Sequence, residues 1–440
     1  MVVLSFLIAI CVGTLALSLP IATRDAGSLS LVDSLFTATS ATCVTGLVVR
    51  DTGSHFTPFG RWVIFALFQA GGLGIMTFST LFAVMLGRRI GFREDTVVRS
   101  TLGGQKIIGL KRLILYILGI AFTVEAAGAL LLYLRWRAIT DWAVLETLEK
   151  AVFHSVSGFC NAGFALFRSS FVRFEGDPLV NMILILLIFI GGIGFIVILD
   201  VIGFFFRGKN RRKISLQAKV ALITSIVLII AGACMLFFFE KGNVMKGMTL
   251  PERLWGSVFQ SVTARTAGFN TLPIGELTCA SLMFLVFLMF IGASPGSTGG
   301  GIKTCTFTVL AATVWNMLRG RKRVLIFNRS IPRKVIREAL IIFFLSASWI
   351  FIFTIVLACL HGKNPGVEKP FIRALFEVVS AFSTVGLSTG MTAALDNVGK
   401  LCITATMFAG RIGPLTLALA IAFKEGQDSY IFPEENIMVG

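Results

Sequence analysis

Apolar residues in this chain come in long blocks, and the blocks recur in a fixed order. Runs such as 179–198, 221–239 and 341–360 each hold about 20 residues, enough for a helix to cross roughly 30 Å of hydrocarbon. Between long runs lie amphipathic stretches of about 14 residues, too short to cross. Each short stretch ends at a glycine pattern, and another long apolar run follows. The pattern predicts the same series four times: outer helix, short helix, glycine loop, inner helix. These fall near 2–20, 29–42, 43–48 and 58–86, then near 107–134, 143–158, 160–165 and 178–206. The third series falls near 216–239, 250–263, 265–270 and 278–317, the fourth near 333–360, 368–382, 383–388 and 397–423. The four segments are 1–95, 96–213, 214–330 and 331–440. Non-helical backbone at membrane depth is tolerated only where protein buries it or water reaches it. The expected fold is therefore an all-α polytopic membrane protein. Eight spanning helices and four re-entrant helix-loop excursions would form four repeats around a pseudo-fourfold central pore.

The glycine pattern reads Cys43-Val44-Thr45-Gly46-Leu47, Cys160-Asn161-Ala162-Gly163-Phe164, Arg265-Thr266-Ala267-Gly268-Phe269 and Ser383-Thr384-Val385-Gly386-Leu387. A monovalent cation entering hydrocarbon pays on the order of tens of kcal/mol in lost hydration. A ring of carbonyl oxygens can replace that water shell. Aiming successive carbonyls at one axis needs a backbone that L-residues resist and glycine adopts freely. Val44, Thr45, Asn161, Ala162, Thr266, Ala267, Thr384 and Val385 would then donate carbonyls beside Gly46, Gly163, Gly268 and Gly386. Their side chains are expected to pack behind the loops. A short helix pointing its negative end at the axis would add about 0.3–1 kcal/mol each. Phe36, Phe153 and Phe376 lie ten residues before their glycines, but Phe259 lies nine before Gly268. The third repeat is thus one residue short, and strict fourfold equivalence should fail there.

Composition agrees with the membrane reading: the chain is 55% hydrophobic and only 14% charged. Its net charge of +17 raises nucleic acid as a partner, but the charge is clustered. Arg88, Arg89, Arg93, Arg99, Lys106, Lys111 and Arg112 form one group, and Arg207, Lys209, Arg211, Arg212, Lys213 and Lys219 a second. Arg319, Arg321, Lys322, Arg323, Arg329, Arg333, Lys334 and Arg337 form the third. The positive-inside rule makes these three loops cytoplasmic in a multi-pass cell-membrane protein. They suit anionic lipid headgroups, a cytosolic protein partner, or both, and no nucleic-acid role is assigned. The first run lacks a basic leader and a clear cleavage site, so it reads as a retained helix. The eight cysteines lie singly, with no CxxC pair, so neither a metal nor a disulfide framework is indicated.

Two features interrupt the apolar inner helices. In the third, Gly292, Ser294, Pro295, Gly296, Gly299, Gly300, Gly301 and Lys303 cannot continue an ordinary helix. The stretch must face water or protein. It reads as a mobile flap under the glycine ring, with a static kink as the alternative. Gly71, Gly72 and Gly74, Gly191, Gly192 and Gly194, and Gly410 and Gly413 fall at matching offsets; in the first two repeats they read as helix-packing sites. The second feature is Arg411. At a helix centre an arginine costs about 2.5–3.5 kcal/mol or more, so it needs partners: carbonyls of the 294–304 loop, or a carboxylate. It either restricts cation passage and latches the flap, or serves as a hydrogen-bond hub. Lys303 either joins the gate or reaches cytoplasmic water. Asp33, Glu125, Glu146 and Glu377 could attract cations. Asp200 is expected to pair with basic loops, and His154 to pack. Asn161 and Thr384 could brace their loops.

Here the chain resembles a known family. Thr384-Val385-Gly386 looks like the start of the potassium-channel TVGYG signature. The fourfold repeat with degenerate filters resembles the Trk/Ktr/HKT superfamily of cation transporters, most of all the membrane subunits of bacterial Ktr potassium uptake systems. The resemblance covers essentially the whole chain. It implies potassium as the transported ion, bound at the filter carbonyls, because a glycine in all four filters goes with potassium selectivity. Serine at the first filter position goes with sodium transport in some plant members; here that position is Gly46. The second glycine of TVGYG is absent, so a shorter and less stringent filter is expected, with sodium as the other candidate ion. The resemblance further implies an intramembrane gate loop at the glycine-rich break. It also implies a homodimer docked on a cytosolic, KtrA-like ring of nucleotide-binding regulators. The chain itself shows no cofactor motif. Two rivals stand beside this reading. A membrane enzyme would need clustered catalytic groups, and the three histidines are scattered. A sodium- or proton-coupled secondary transporter would need a site near the midplane, where Glu125 is the tempting acid.

Overall fold

The computed structural model describes residues 2–24, 29–74, 110–206, 214–361 and 369–413. Its four outer helices are Val2–Ser18, Leu110–Ile139, Leu216–Glu240 and Arg333–His361. The short helices are Leu31–Thr42, Val144–Cys160, Leu250–Thr263 and Pro370–Phe382. Local chemistry starts them. Ser30 caps the first by accepting from the Asp33 N–H, and Thr249 with Glu252 forms a capping box on the third, both satisfying first-turn donors that the helix leaves over.

The inner elements are Pro58–Gly72, Pro178–Ile193 with Phe195–Phe206, Cys279–Phe290 with Thr304–Leu318, and Asn397–Ile412. The third breaks over the glycine-rich stretch. The second was expected as one span over 178–206 and is not: Pro178–Ile193 and Phe195–Phe205 meet at 101°. Gly194 makes the corner at φ 98°, a value that side chains rarely tolerate. The first and fourth end at Gly72 and Ile412, so the glycine clusters close the last turns of these helices, and Gly71, Gly191 and Gly410 pack on the Thr42, Phe159 and Phe382 carbonyls too closely for a side chain.

Among the described residues, Ile114–Ile139, Leu216–Glu240 and Arg333–Leu360 are long and apolar enough to cross a bilayer, and the bent pair supplies a fourth. The expected eight continuous spans are thus not all present here: one is bent, one is interrupted, and Val2–Ser18 has 17 residues. The predicted parts at 75–86 and 414–423 lie outside the described residues. Outward faces carry exposed Phe238, Phe344 and Phe351, at home in hydrocarbon and a liability in water. The chain is a helical membrane protein.

Two large apolar cores, with two smaller clusters beside them among the described residues, hold it together. One gathers Leu17, Phe68, Trp136, Phe159 and Phe171 from the first half. The other gathers Leu285, Phe376, Phe382 and Met407 from the second, together with Phe36 and Leu47 of the first quarter. The first and fourth quarters therefore meet: the Lys400 ammonium reaches Asp33 at 2.6 Å. Arg88 to Lys106 and Arg207 to Lys213 lie outside the described residues. The third basic group is exposed around a hairpin, with β1 Leu325–Ile326 and β2 Arg329–Ser330. Phe327 and Asn328 turn it at φ 47° and 59°, the primed-turn geometry that suits strand twist.

Candidate functional site: a glycine ring over a broken helix

The four glycine loops share one backbone pattern. Gly46, Gly163, Gly268 and Gly386 have φ of 87°, 70°, 81° and 92°. Two residues earlier, Val44, Asn161, Thr266 and Thr384 also take positive φ, at 57°, 56°, 80° and 50°. Left-handed residues at every second position are costly outside glycine; here the surroundings enforce them four times.

The loops also meet. A Cβ on Gly46 would strike the Ala162 carbonyl oxygen, and one on Gly163 would lie 2.9 Å from that of Ala267. A Cβ on Gly268 would strike the Val385 oxygen, and one on Gly386 that of Thr45. Each glycine abuts the carbonyl before the next glycine, and the fourth returns to the first. The sequence places these residues in four distant segments; the structure brings them to one ring.

A hydroxyl group braces each loop, which sequence reasoning missed. Ser40 Oγ donates to the Leu47 carbonyl at 2.7 Å, and Ser157 Oγ to that of Phe164 at 2.8 Å. Ser380 Oγ accepts from the Gly386 N–H at 3.1 Å, as Ser40 Oγ does from Gly46. In the third loop Thr263 Oγ1 donates to the Phe269 carbonyl at 2.6 Å. The serines lie six residues before their glycines and Thr263 five, the same one-residue shortening that Phe259 shows. That spacing was a readable signal.

Beneath the ring lies the interrupted third inner helix. Ser294 N–H donates to the Gly192 carbonyl at 3.1 Å and Thr298 N–H to that of Gly191 at 3.3 Å. Thr298 Oγ1 reaches the Gly191 carbonyl at 3.2 Å. Gly300 N–H donates to Thr384 Oγ1 at 2.9 Å, and Gly299 packs on Thr266 closely enough to exclude a side chain. Thr266 and Thr384 therefore point at the broken segment, not behind their loops as expected. Ser294 Oγ lies 3.0 Å from Thr304 Oγ1. Gly296 passes its carbonyl to the Phe195 N–H at 3.0 Å, and Pro295 and Gly301 fill the bend beside Gly194 and Ser383. Gly292 packs on Gly300 across the base of the loop. Lys303 does not reach outward: its ammonium folds back on the Gly299 carbonyl at 2.6 Å.

Arg411 ties the assembly together. Its guanidinium donates to the carbonyls of Thr298 and Gly71, so the partners are carbonyls of the loop and of the first inner helix. Other flagged residues are committed elsewhere. Glu377 accepts from Ser388, Thr389 and Thr392. Glu146 pairs with Lys150, and Asp200 accepts from Ser215. His154 Nδ1 faces the Lys150 carbonyl at 2.7 Å while Nε2 accepts from the Leu166 N–H at 3.0 Å. Both ring nitrogens are used, which fixes one neutral tautomer. Glu125 is buried, with both oxygens accepting from the Gln69 amide at 3.1 and 3.0 Å. Asn161 lies buried in its loop.

Comparison with known proteins agrees on one family. The family model for TrkH, a cation transport protein, matches residues 5–431. The Ktr system potassium uptake protein B of Bacillus subtilis is 39% identical over 99% of this chain and 95% of its own. The potassium/sodium uptake protein NtpJ of Enterococcus hirae is 36% identical over 99% of this chain and 95% of its own. The crystal structure of the potassium transporter TrkH from Vibrio parahaemolyticus superposes with a TM-score of 0.71 at 19% identity. It covers 95% of this chain and 84% of that one, a likeness of fold.

Proposed function

The chain belongs to the TrkH family of cation transport proteins, and from that premise we propose that it conducts potassium through the ring of four glycine loops. The carrying observation is the cyclic contact of Gly46, Gly163, Gly268 and Gly386 with the carbonyls of Ala162, Ala267, Val385 and Thr45. Such a ring offers oxygens where an ion sheds water. The pore is the axis of four repeats. The ion then meets the 291–303 segment, a gate held shut by Arg411, Gly191, Gly192 and Thr384. Potassium is favoured by the names of the similar proteins, and sodium is the second ion.

The same reading takes the protein to be a homodimer of the cell membrane with basic loops on the cytoplasmic side. The exposed basic hairpin at 319–334 is a docking face for a KtrA-like nucleotide-binding ring or for anionic headgroups. Coupling to sodium or protons is a second reading, supported by buried Glu125. A pH or sodium gradient that drives potassium accumulation in vesicles would establish it.

Serine at each ring glycine is the test. The added side chain would crowd a neighbouring carbonyl, and the potassium-to-sodium flux ratio in vesicles should fall by about tenfold, roughly 1.4 kcal/mol of discrimination. An unchanged ratio in all four variants ends the proposal.

A further inference from the structure

The position three residues before the glycine is Cys43, Cys160, Arg265 and Ser383 in the four loops. The third loop alone puts a permanent positive charge there. Arg265 is 8% exposed. Its Nη1 donates to the Ser225 carbonyl at 3.3 Å, a long bond, and its buried Nε has no partner. Among the described residues no carboxylate comes within ion-pair reach of it. A buried guanidinium with one weak carbonyl contact is under-compensated, since burying a charge is costly unless it is paired.

Arg265 lines a small, partly open cavity. Its other walls include Gly192 and Ile193 at the bend of the second inner helix, Ser225 and Ile229 on the outer helix, and Ala293 on the broken segment. The space admits the centre of a water-sized sphere over about 20 Å³, enough for one small occupant.

We propose that this cavity binds one small inorganic anion of the chloride class, as the buried counter-ion of Arg265. A water would satisfy the Nε–H but leave the charge unbalanced, and a single halide matches the small space available. The place gives the anion a role. It screens a cation that stands directly behind a loop through which another cation must pass. It also sits at the seam where Ser294 N–H holds the Gly192 carbonyl, so it supports the attachment of the broken segment.

Bromide is the probe, because its anomalous scattering locates it whatever ion the protein conducts. Crystals of the full chain grown in bromide should show one peak within hydrogen-bond reach of the Arg265 guanidinium. Arg265→Gln should lose it, and Ile229→Phe, which fills the cavity while keeping the charge, should lose it too. Only water at that place, or a peak that survives either substitution, overturns the site. In vesicles, replacing chloride by gluconate on both sides should lower wild-type potassium flux by at least about threefold, because an uncovered positive charge beside the cation path repels the passing ion. The Ile229→Phe variant should ignore the replacement. If bromide binds and flux ignores it, the site stands and its support of transport falls. Should Arg265→Gln not fold, Ile229→Phe alone decides the matter. The bromide result is independent of cation selectivity, so it stands apart from failure of the potassium reading.

Discussion

The second and third inner helices break at the same level beneath the glycine ring, and they do so by opposite means. The second turns 101° at Gly194 alone, with helix on either side. Nearly all of its peptide groups keep partners within their own helices. The third abandons helix between Phe290 and Thr304 and takes its partners from elsewhere: Gly191, Gly192, Thr384 and Arg411. The corner shares only the Gly191 and Gly192 carbonyls and the Phe195 N–H with that segment, and its other bonds are local. A segment held by bonds from other repeats can trade each for water at a net cost of about 0.5–1.5 kcal/mol. The contrast separates a fixed bend from a releasable barrier, although both look alike as interruptions of an apolar run.

One deletion and three substitutions test that contrast, in falling order of effect. Deleting 297–301 removes the barrier and should raise unstimulated potassium flux in vesicles by at least about tenfold, roughly 1.4 kcal/mol off the limiting step. Flux at or below wild type would mean the segment blocks nothing. Arg411→Gln leaves the Thr298 and Gly71 carbonyls without their charged donor, a loss of about 1.5–3 kcal/mol per such bond. Basal flux should rise about fivefold, and a fall would recast Arg411 as a purely structural hub. Gly194→Val should act on stability instead. At φ 98°, with the Pro295 carbonyl 2.6 Å from the new Cβ, strain of about 1–3 kcal/mol is expected. It is read as a lowered unfolding midpoint, with a smaller change in flux per folded molecule than Arg411→Gln gives. Thr298→Val keeps the shape but loses the hydroxyl bond to Gly191, worth about 1 kcal/mol. Basal flux should rise about twofold, with a smaller drop in the unfolding midpoint than Gly194→Val produces.

Much of this was legible before any coordinates. The short helices lie within two residues of where the amphipathic stretches placed them, because period and capping are local properties. The break in the third inner helix followed from five glycines and a proline, which no helix absorbs. That Arg411 needs partners, loop carbonyls or a carboxylate, followed from the cost of an arginine at a helix centre, and the structure supplies carbonyls. The hydroxyl braces were legible in principle: Ser40, Ser157, Thr263 and Ser380 keep step with the phenylalanines, including the shortened third repeat. The bend at Gly194 was not, since a glycine inside an apolar run reads equally as a packing site.

By itself, then, the sequence determined the recurring order of elements, their lengths, and the places where the backbone cannot stay helical. These are set by residues within a few positions of one another. Only the tertiary structure decided that Gly386 closes back on Thr45, that Thr266 and Thr384 turn toward the broken segment, and that Arg265 ends beside a cavity. Each depends on which distant carbonyl or side chain arrives alongside, and that is fixed by packing across the two cores, not by any local preference of the chain.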